Sequence, residues 1–126
     1  MSHSTITLLY VDDEEMNLFL FEKSFETEYN VITAISGEAG LEKLHEKSDE
    51  IIVVISDMRM PGMSGIEFIR KARETHNKIA YFILTGFEYS DEIDGALKAG
   101  EIHKFFTKPF DVDEIRNAVE EAVKKL

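Results

Sequence analysis

Along this chain, short runs of apolar residues alternate with segments in which apolar positions recur every three or four residues. The runs fall at residues 6–11, 30–35, 51–56, 79–84 and 102–106, and each is too short and too continuous for an amphipathic helix. The longest one, Ile51, Ile52, Val53, Val54 and Ile55, has no polar alternation, which predicts a strand covered on both faces of a sheet. Between the runs, helical spacing relates Leu18, Phe21 and Phe25, then Leu41 and Leu44, then Ile66, Ile69 and Ala72, then Ile93, Ala96 and Leu97. Val112, Ile115, Val119, Ala122 and Leu126 mark the inner face of a last helix.

The polar punctuation agrees with this division. Ser36 can cap the second helix. Ser64 with Glu67, and Asp111 with Glu114, have the form of a capping box, and Gly100 fits a helix-ending glycine. Five strand and helix pairs with short connections predict an α/β fold with right-handed crossovers. The expected architecture is a five-stranded doubly wound parallel sheet of order 2-1-3-4-5, flavodoxin-like, with five helices. Residues 1–5 are polar and expected to be a flexible N-terminal stretch, and residues 6–126 to form a single domain.

Composition narrows the setting. The chain has no cysteine, which excludes disulfides and thiolate metal sites and suits a reducing cytoplasm. No apolar run approaches the roughly 20 residues of a membrane span, so no membrane contact is expected. A formal net charge of −11 argues against direct nucleic acid binding by this segment and suits cationic partners or a bound metal.

In a doubly wound sheet, ligands bind beyond the carboxyl ends of the strands where the strand order reverses, here between the first and third strands. Those two ends carry Asp12, Asp13 and Asp57, and the neighbouring ends carry Thr85 and Lys108. Each has an ordinary reading when taken singly. The acids could complement a helix N-terminus, Thr85 could be a strand former and Lys108 a surface cation. Together they converge on one crevice. Carboxylates about 4 Å apart repel by roughly 4 kcal/mol at an effective dielectric near 20, so the cluster favours a divalent cation. With oxygen ligands only, Mg²⁺ fits best and Mn²⁺ is the alternative. A carboxylate nucleophile, a metal, a lysine and a hydroxyl are the parts needed to accept and hold a phosphoryl group.

From Ile6 to Leu126 these residues closely resemble the receiver domain of two-component response regulators. The match rests on Asp12 and Asp13 after the first strand, and on Ser56, Asp57, Met60, Pro61, Gly62, Met63 and Gly65 after the third. Thr85 and Gly86 follow the fourth strand, and Phe105, Lys108, Pro109 and Phe110 the fifth. The resemblance implies a signalling switch whose Asp57 is phosphorylated by a histidine kinase or histidine phosphotransfer protein. It implies Mg²⁺ held by Asp12, Asp13, Asp57 and the backbone carbonyl of Arg59, with Thr85 and Lys108 on the phosphoryl oxygens. It further implies a cis Lys108–Pro109 bond, and Phe105 as an aromatic switch that turns inward with Thr85. An output domain or downstream protein would read the face of helix four, strand five and helix five, and dimerisation on phosphorylation is a further outcome the family allows. Such a domain catalyses its own aspartyl phosphorylation and dephosphorylation and is not a metabolic enzyme. Position 105 is Phe where Tyr is frequent, so the switch would act by packing. Arg59 and Phe87, each two residues past a site residue, are expected to alter how fast water reaches the acyl phosphate.

Three other functions compete. A phosphatase with an aspartyl intermediate, of the haloacid-dehalogenase type, needs a second acid two residues past the nucleophile, where this chain has Arg59. A flavin binder would meet an acidic turn, Asp12 to Glu15, where the flavin phosphate needs hydroxyls and glycines. A binding module indifferent to phosphate would not need Asp57, Thr85 and Lys108 together.

Overall fold

The structure, a computed structural model, describes residues 6–86 and 90–126. Five strands alternate with five helices: β1 (Thr7–Val11), α1 (Glu15–Phe25), β2 (Asn30–Ala34), α2 (Gly37–Glu46), β3 (Ile51–Asp57), α3 (Gly65–Thr75), β4 (Ala80–Thr85), α4 (Asp91–Lys98), β5 (Lys104–Thr107) and α5 (Val112–Lys124). All the strands are parallel, in the order β2-β1-β3-β4-β5, as the sequence predicts. The expected flexible stretch at residues 1–5, and Phe87, lie outside the described residues.

The alternating geometry of a strand explains why the central runs lack polar positions. Leu8, Tyr10, Val53, Ile55, Phe82 and Leu84 point to one face, where Phe21 and Phe25 of α1 and Ile115 and Val119 of α5 cover them. Leu9, Val11, Val54, Tyr81 and Ile83 point to the other, under Leu44 of α2, Ile66 and Ile69 of α3 and Ile93 of α4. Both faces are core. β2, at the edge, is only partly covered over most of its length.

The helix starts follow local chemistry. The Ser64 hydroxyl accepts from the Glu67 amide while the Glu67 carboxylate accepts from the Ser64 amide, a complete capping box for α3. Such a cap contributes about 1 kcal/mol and fixes where the chain turns after β3. Ser36 and Ser90 cap α2 and α4 in the same way through one hydroxyl each. At α5 only half of the expected box forms: Asp111 accepts from the Glu114 amide. Gly100 takes a φ of +74° just past α4, the left-handed turn that ends a helix.

Two sequence expectations need correction. Leu126, placed on the inner face of the last helix, is 54% exposed, because α5 ends at Lys124 and the chain turns away from the core. β5 begins at Lys104 rather than at residue 102: Ile102 is buried as a core residue, but the ladder to β4 opens only at the pairing of Phe82 with Lys104.

Candidate phosphoryl-transfer site

The carboxyl ends of β1, β3, β4 and β5 meet at one edge of the sheet, and parallel register brings their last residues into line. Val11 pairs with Ser56, Asp57 with Leu84, and Thr85 with Thr107. The next residues after β1 and β5 are Asp12 and Lys108. A backbone bond ties two strand ends directly, the Lys108 amide donating to the Thr85 carbonyl at 2.8 Å. The Lys108–Pro109 peptide is cis.

Asp12 is fully buried and Asp57 is 7% exposed, a depth at which acids need compensation. Part of it comes from Lys108, whose Nζ stands 3.1 Å from Asp12 Oδ2 and 3.2 Å from Asp57 Oδ1. Asp12, Asp13 and Asp57 can each direct one oxygen into a common space, with those oxygens within 4.8 Å of one another. Among the described residues this is the group able to hold a metal ion, and its donor set is all oxygen, suited to a hard cation.

The electrostatics bear the mark of crowded negative charge. Burial first, then the charge of Asp12, pushes the Asp57 carboxyl from an ordinary 3.8 up to about 6, against the opposing pull of Lys108. Lys108 moves the other way. Burial disfavours its charge, but its hydrogen bond to Asp12 and the charges of Asp57 and Asp12 hold it above the usual lysine value. One lysine thus leaves three carboxylates under-compensated, and a divalent cation would relieve the rest.

Backbone contacts hold the loop after β3. The Ser56 hydroxyl donates to the Asp57 carbonyl at 2.9 Å, and the Gly65 amide donates to the Met58 carbonyl at 2.8 Å. Arg59 is exposed and lines a cavity of about 620 Å³ with Met58, Met60, Thr85 and Ile93. Phe105 is half-buried against the α3 and α4 side of the core. A second cavity, about 410 Å³, lies on the opposite flank between α1 and the β5–α5 connection, with Tyr10, Asn17, Leu20, Lys108 and Phe110 in its walls.

The structure therefore brings together every residue picked out at the strand ends. It adds two that sequence reasoning passed over, Tyr10 and Asn17, and shows what Gly65 of the motif after the third strand touches. Tyr10 donates to Asp12 Oδ2 at 2.7 Å, Asn17 donates to Asp12 Oδ1 at 3.3 Å, and Gly65 packs against the backbone of Asp57. The available signal for Tyr10 was a hydroxyl in an otherwise aliphatic run. Asn17 gave one by standing a helical turn past the acidic pair.

Residues 8–120 match the family model of the response regulator receiver domain. The chain is 32% identical over 113 residues to sporulation initiation phosphotransferase F of Bacillus subtilis, covering 89% of each. It is 28% identical over 123 residues to the hydrogenase transcriptional regulatory protein HoxA of Cupriavidus necator, covering 98% of this chain and 25% of that protein, so it spans a quarter of that relative's length. Among solved structures, a response regulator receiver domain protein from Clostridium thermocellum superposes with a TM-score of 0.84 at 29% identity, covering 95% of both chains. The chemotaxis protein CheY4 of Vibrio cholerae gives a TM-score of 0.84 at 26% identity over 94% of this chain and 99% of that one. No described helix is long and apolar enough to cross a membrane.

Proposed function

The chain belongs to the response regulator receiver domain family, whose members are phosphorylation-controlled switches, and on that premise we propose that Asp57 is its phosphoryl acceptor. The carrying observation is that Lys108 bridges Asp12 and Asp57 at the rim of a three-carboxylate cluster, so that the nucleophile, the cation site and the phosphate-binding ammonium share one crevice.

In the proposed reaction, a carboxylate oxygen of Asp57 attacks the phosphorus of a phosphohistidine on a histidine kinase or phosphotransfer protein. The new O–P bond forms as the P–N bond breaks, and the imidazole nitrogen keeps the electron pair. Mg²⁺, or Mn²⁺ in its place, would be held by Asp12, Asp13, Asp57 and the Arg59 carbonyl, and when bound supplies positive charge to the phosphoryl oxygens. The chain's own groups do the rest. Lys108 turns its ammonium from Asp57 toward the phosphoryl group, and Thr85, at the end of the neighbouring strand, offers a hydroxyl. Water then attacks the phosphorus, the Asp57 O–P bond breaks, inorganic phosphate leaves and the Asp57 carboxylate is restored; Arg59, exposed in the wall of the adjoining cavity, is proposed to alter the rate of this step.

The donor has to cross the rim of the crevice. On α1, Met16, Phe19 and Leu20 are 66%, 54% and 49% exposed, and Leu20 adjoins the cavity that reaches Lys108. Glu15 and Glu22 share the helix with this apolar strip and Lys23 stands over the Phe19 ring, so the strip suits a donor surface that is apolar at its centre. On the other flank, movement of Thr85 toward phosphate leaves space for Phe105 to turn inward, altering the face of α4, β5 and α5 that an output domain or downstream protein reads, dimerisation included. Hydrogen bonds to a charged group contribute about 1.5–3 kcal/mol each, and about 5.5 kcal/mol converts a 1:99 population to 99:1. Two or three such bonds, formed only once Asp57 is phosphorylated, are sufficient. A cysteine-free composition agrees with a reducing, cytoplasmic setting.

Incubation with acetyl phosphate and Mg²⁺, followed by intact mass, tests the reading. One phosphoryl adduct is expected in the wild type, dependent on Mg²⁺ and missing from Asp57→Ala; an undiminished adduct in that variant refutes it.

A further inference from the structure

Tyr10 has no part in the reaction as described, yet its hydroxyl reaches a residue of the site at hydrogen-bond distance. It stands in β1 among Leu8, Leu9 and Val11, and its ring stacks on Phe21 of α1 with centroids 4.1 Å apart and planes 12° from parallel. An apolar side chain would satisfy the core at this position. The hydroxyl instead reaches past the end of the strand to donate to Asp12 Oδ2 at 2.7 Å.

Asp12 is saturated. A carboxylate presents about four lone-pair positions. Oδ2 accepts from Tyr10 and from Lys108 Nζ at 3.1 Å, and Oδ1 accepts from the Glu14 amide at 3.0 Å and from Asn17 Nδ2 at 3.3 Å. These donors differ in how firmly they are held. The phenol is fixed by a buried, stacked ring and the Glu14 amide by the backbone entering α1. Lys108 and Asn17 donate from the ends of partly exposed side chains. For Asp12 to accept a cation on the oxygen that Tyr10 holds, Lys108 must give up its place while Tyr10 and Glu14 stay.

We propose that Tyr10 is a positioning residue for cation binding at Asp12: its hydroxyl locks the Asp12 carboxylate in one orientation, so that the lone pair vacated by Lys108 faces the cation. The proposal rests on the reading of Asp12 as a cation ligand. It also gives Lys108 a direction of travel. Tyr10 shares Oδ2 with Lys108, so the accepting capacity of that oxygen is divided between two donors. Lys108 is thereby freer to move to a phosphoryl oxygen than it would be as sole partner of a buried acid.

The test is an Mg²⁺ titration followed by amide NMR shifts in isotope-labelled protein, for the wild type, Tyr10→Phe and Asp12→Asn, with acetyl phosphate labelling rates measured across the same Mg²⁺ range. Tyr10→Phe keeps the ring and its stack on Phe21 and loses only the hydroxyl. Its Mg²⁺ affinity is expected to fall about tenfold, the usual cost of removing a group that orients a metal ligand, with the labelling rate recovering at saturating Mg²⁺. A role in packing alone would give wild-type affinity, or a slower rate that Mg²⁺ does not restore, and either result overturns the proposal. Asp12→Asn separates the two levels of the claim. If it weakens Mg²⁺ binding and Tyr10→Phe does not, Asp12 stands as a ligand and Tyr10 fails. If Asp12→Asn binds Mg²⁺ like the wild type, both fail.

Discussion

Gly65 opens α3 directly beneath Asp57, so close that a Cβ on Gly65 would stand 2.2 Å from the Asp57 carbonyl oxygen and 2.9 Å from Ile83 Cδ1. The helix can approach the strand that carries the proposed phosphoryl acceptor only because residue 65 has no side chain. Gly65→Ala has to push apart backbone at the centre of the site, and is expected to destabilise the protein by about 3 kcal/mol in urea denaturation, at the upper end of overpacking costs. Gly95, in the middle of α4, has nothing within 4 Å of its ideal Cβ. There the same change removes a flexible residue from a helix without a clash, and Gly95→Ala is expected to stabilise by about 0.5–1 kcal/mol. Equal effects at the two positions would contradict the packing described for α3.

The raised pKa of Asp57 makes stability depend on pH in a defined direction. Its carboxyl titrates at about 6 in the folded chain against an ordinary 3.8. The folded state binds that proton more tightly than the unfolded state does. In the absence of divalent metal, this group's contribution to stability is therefore lost as pH rises through the interval between those two values. Asp57→Asn removes the dependence. At pH 7 with chelator present it should be more stable than the wild type by roughly 2–3 kcal/mol, and the two should converge below about pH 4. Thermal unfolding across that range checks the prediction, and Mg²⁺ at neutral pH should narrow the difference by stabilising the wild type more.

Lys108 stands 3.1 Å from Asp12 and 3.2 Å from Asp57, and it therefore competes with any cation for Asp12. Lys108→Met should raise Mg²⁺ affinity on the order of tenfold at pH 8, above the titration of Asp57, since a positive charge a few ångströms away is gone. The same variant should label more slowly with acetyl phosphate at saturating Mg²⁺, because the ammonium that would meet the phosphoryl oxygens is missing. A loss of Mg²⁺ affinity in place of a gain would show that Lys108 organises the cluster and does not compete with the cation.

The sheet was legible because its physics is local: a run such as Ile51 to Ile55 can be apolar throughout only if both faces are covered, and parallel strands then need helical crossovers. The strand-end residues were legible because a parallel sheet collects all its carboxyl ends at one edge, so Asp12, Asp57, Thr85 and Lys108 could be placed together from strand order alone. Tyr10 was not, since an aromatic in a strand is ordinary core until its hydroxyl is seen to reach Asp12. Gly65 was legible as part of the motif after the third strand, but its reason was not, because what forbids a side chain there is the carbonyl of Asp57, eight residues earlier. Leu126 failed for the opposite reason: helical spacing continued in the sequence after the last turn of α5 had left the core.

The central claim is that the acyl phosphate forms on Asp57 itself and not on its neighbours in the cluster. Borohydride reduces an aspartyl phosphate to homoserine, so reduction of the labelled protein followed by peptide mapping reads the position directly. Homoserine at position 57 alone, and none in protein labelled without Mg²⁺, is the predicted result. Homoserine at Asp12 or Asp13, or an intact Asp57 in protein that carries the phosphoryl group, would contradict it.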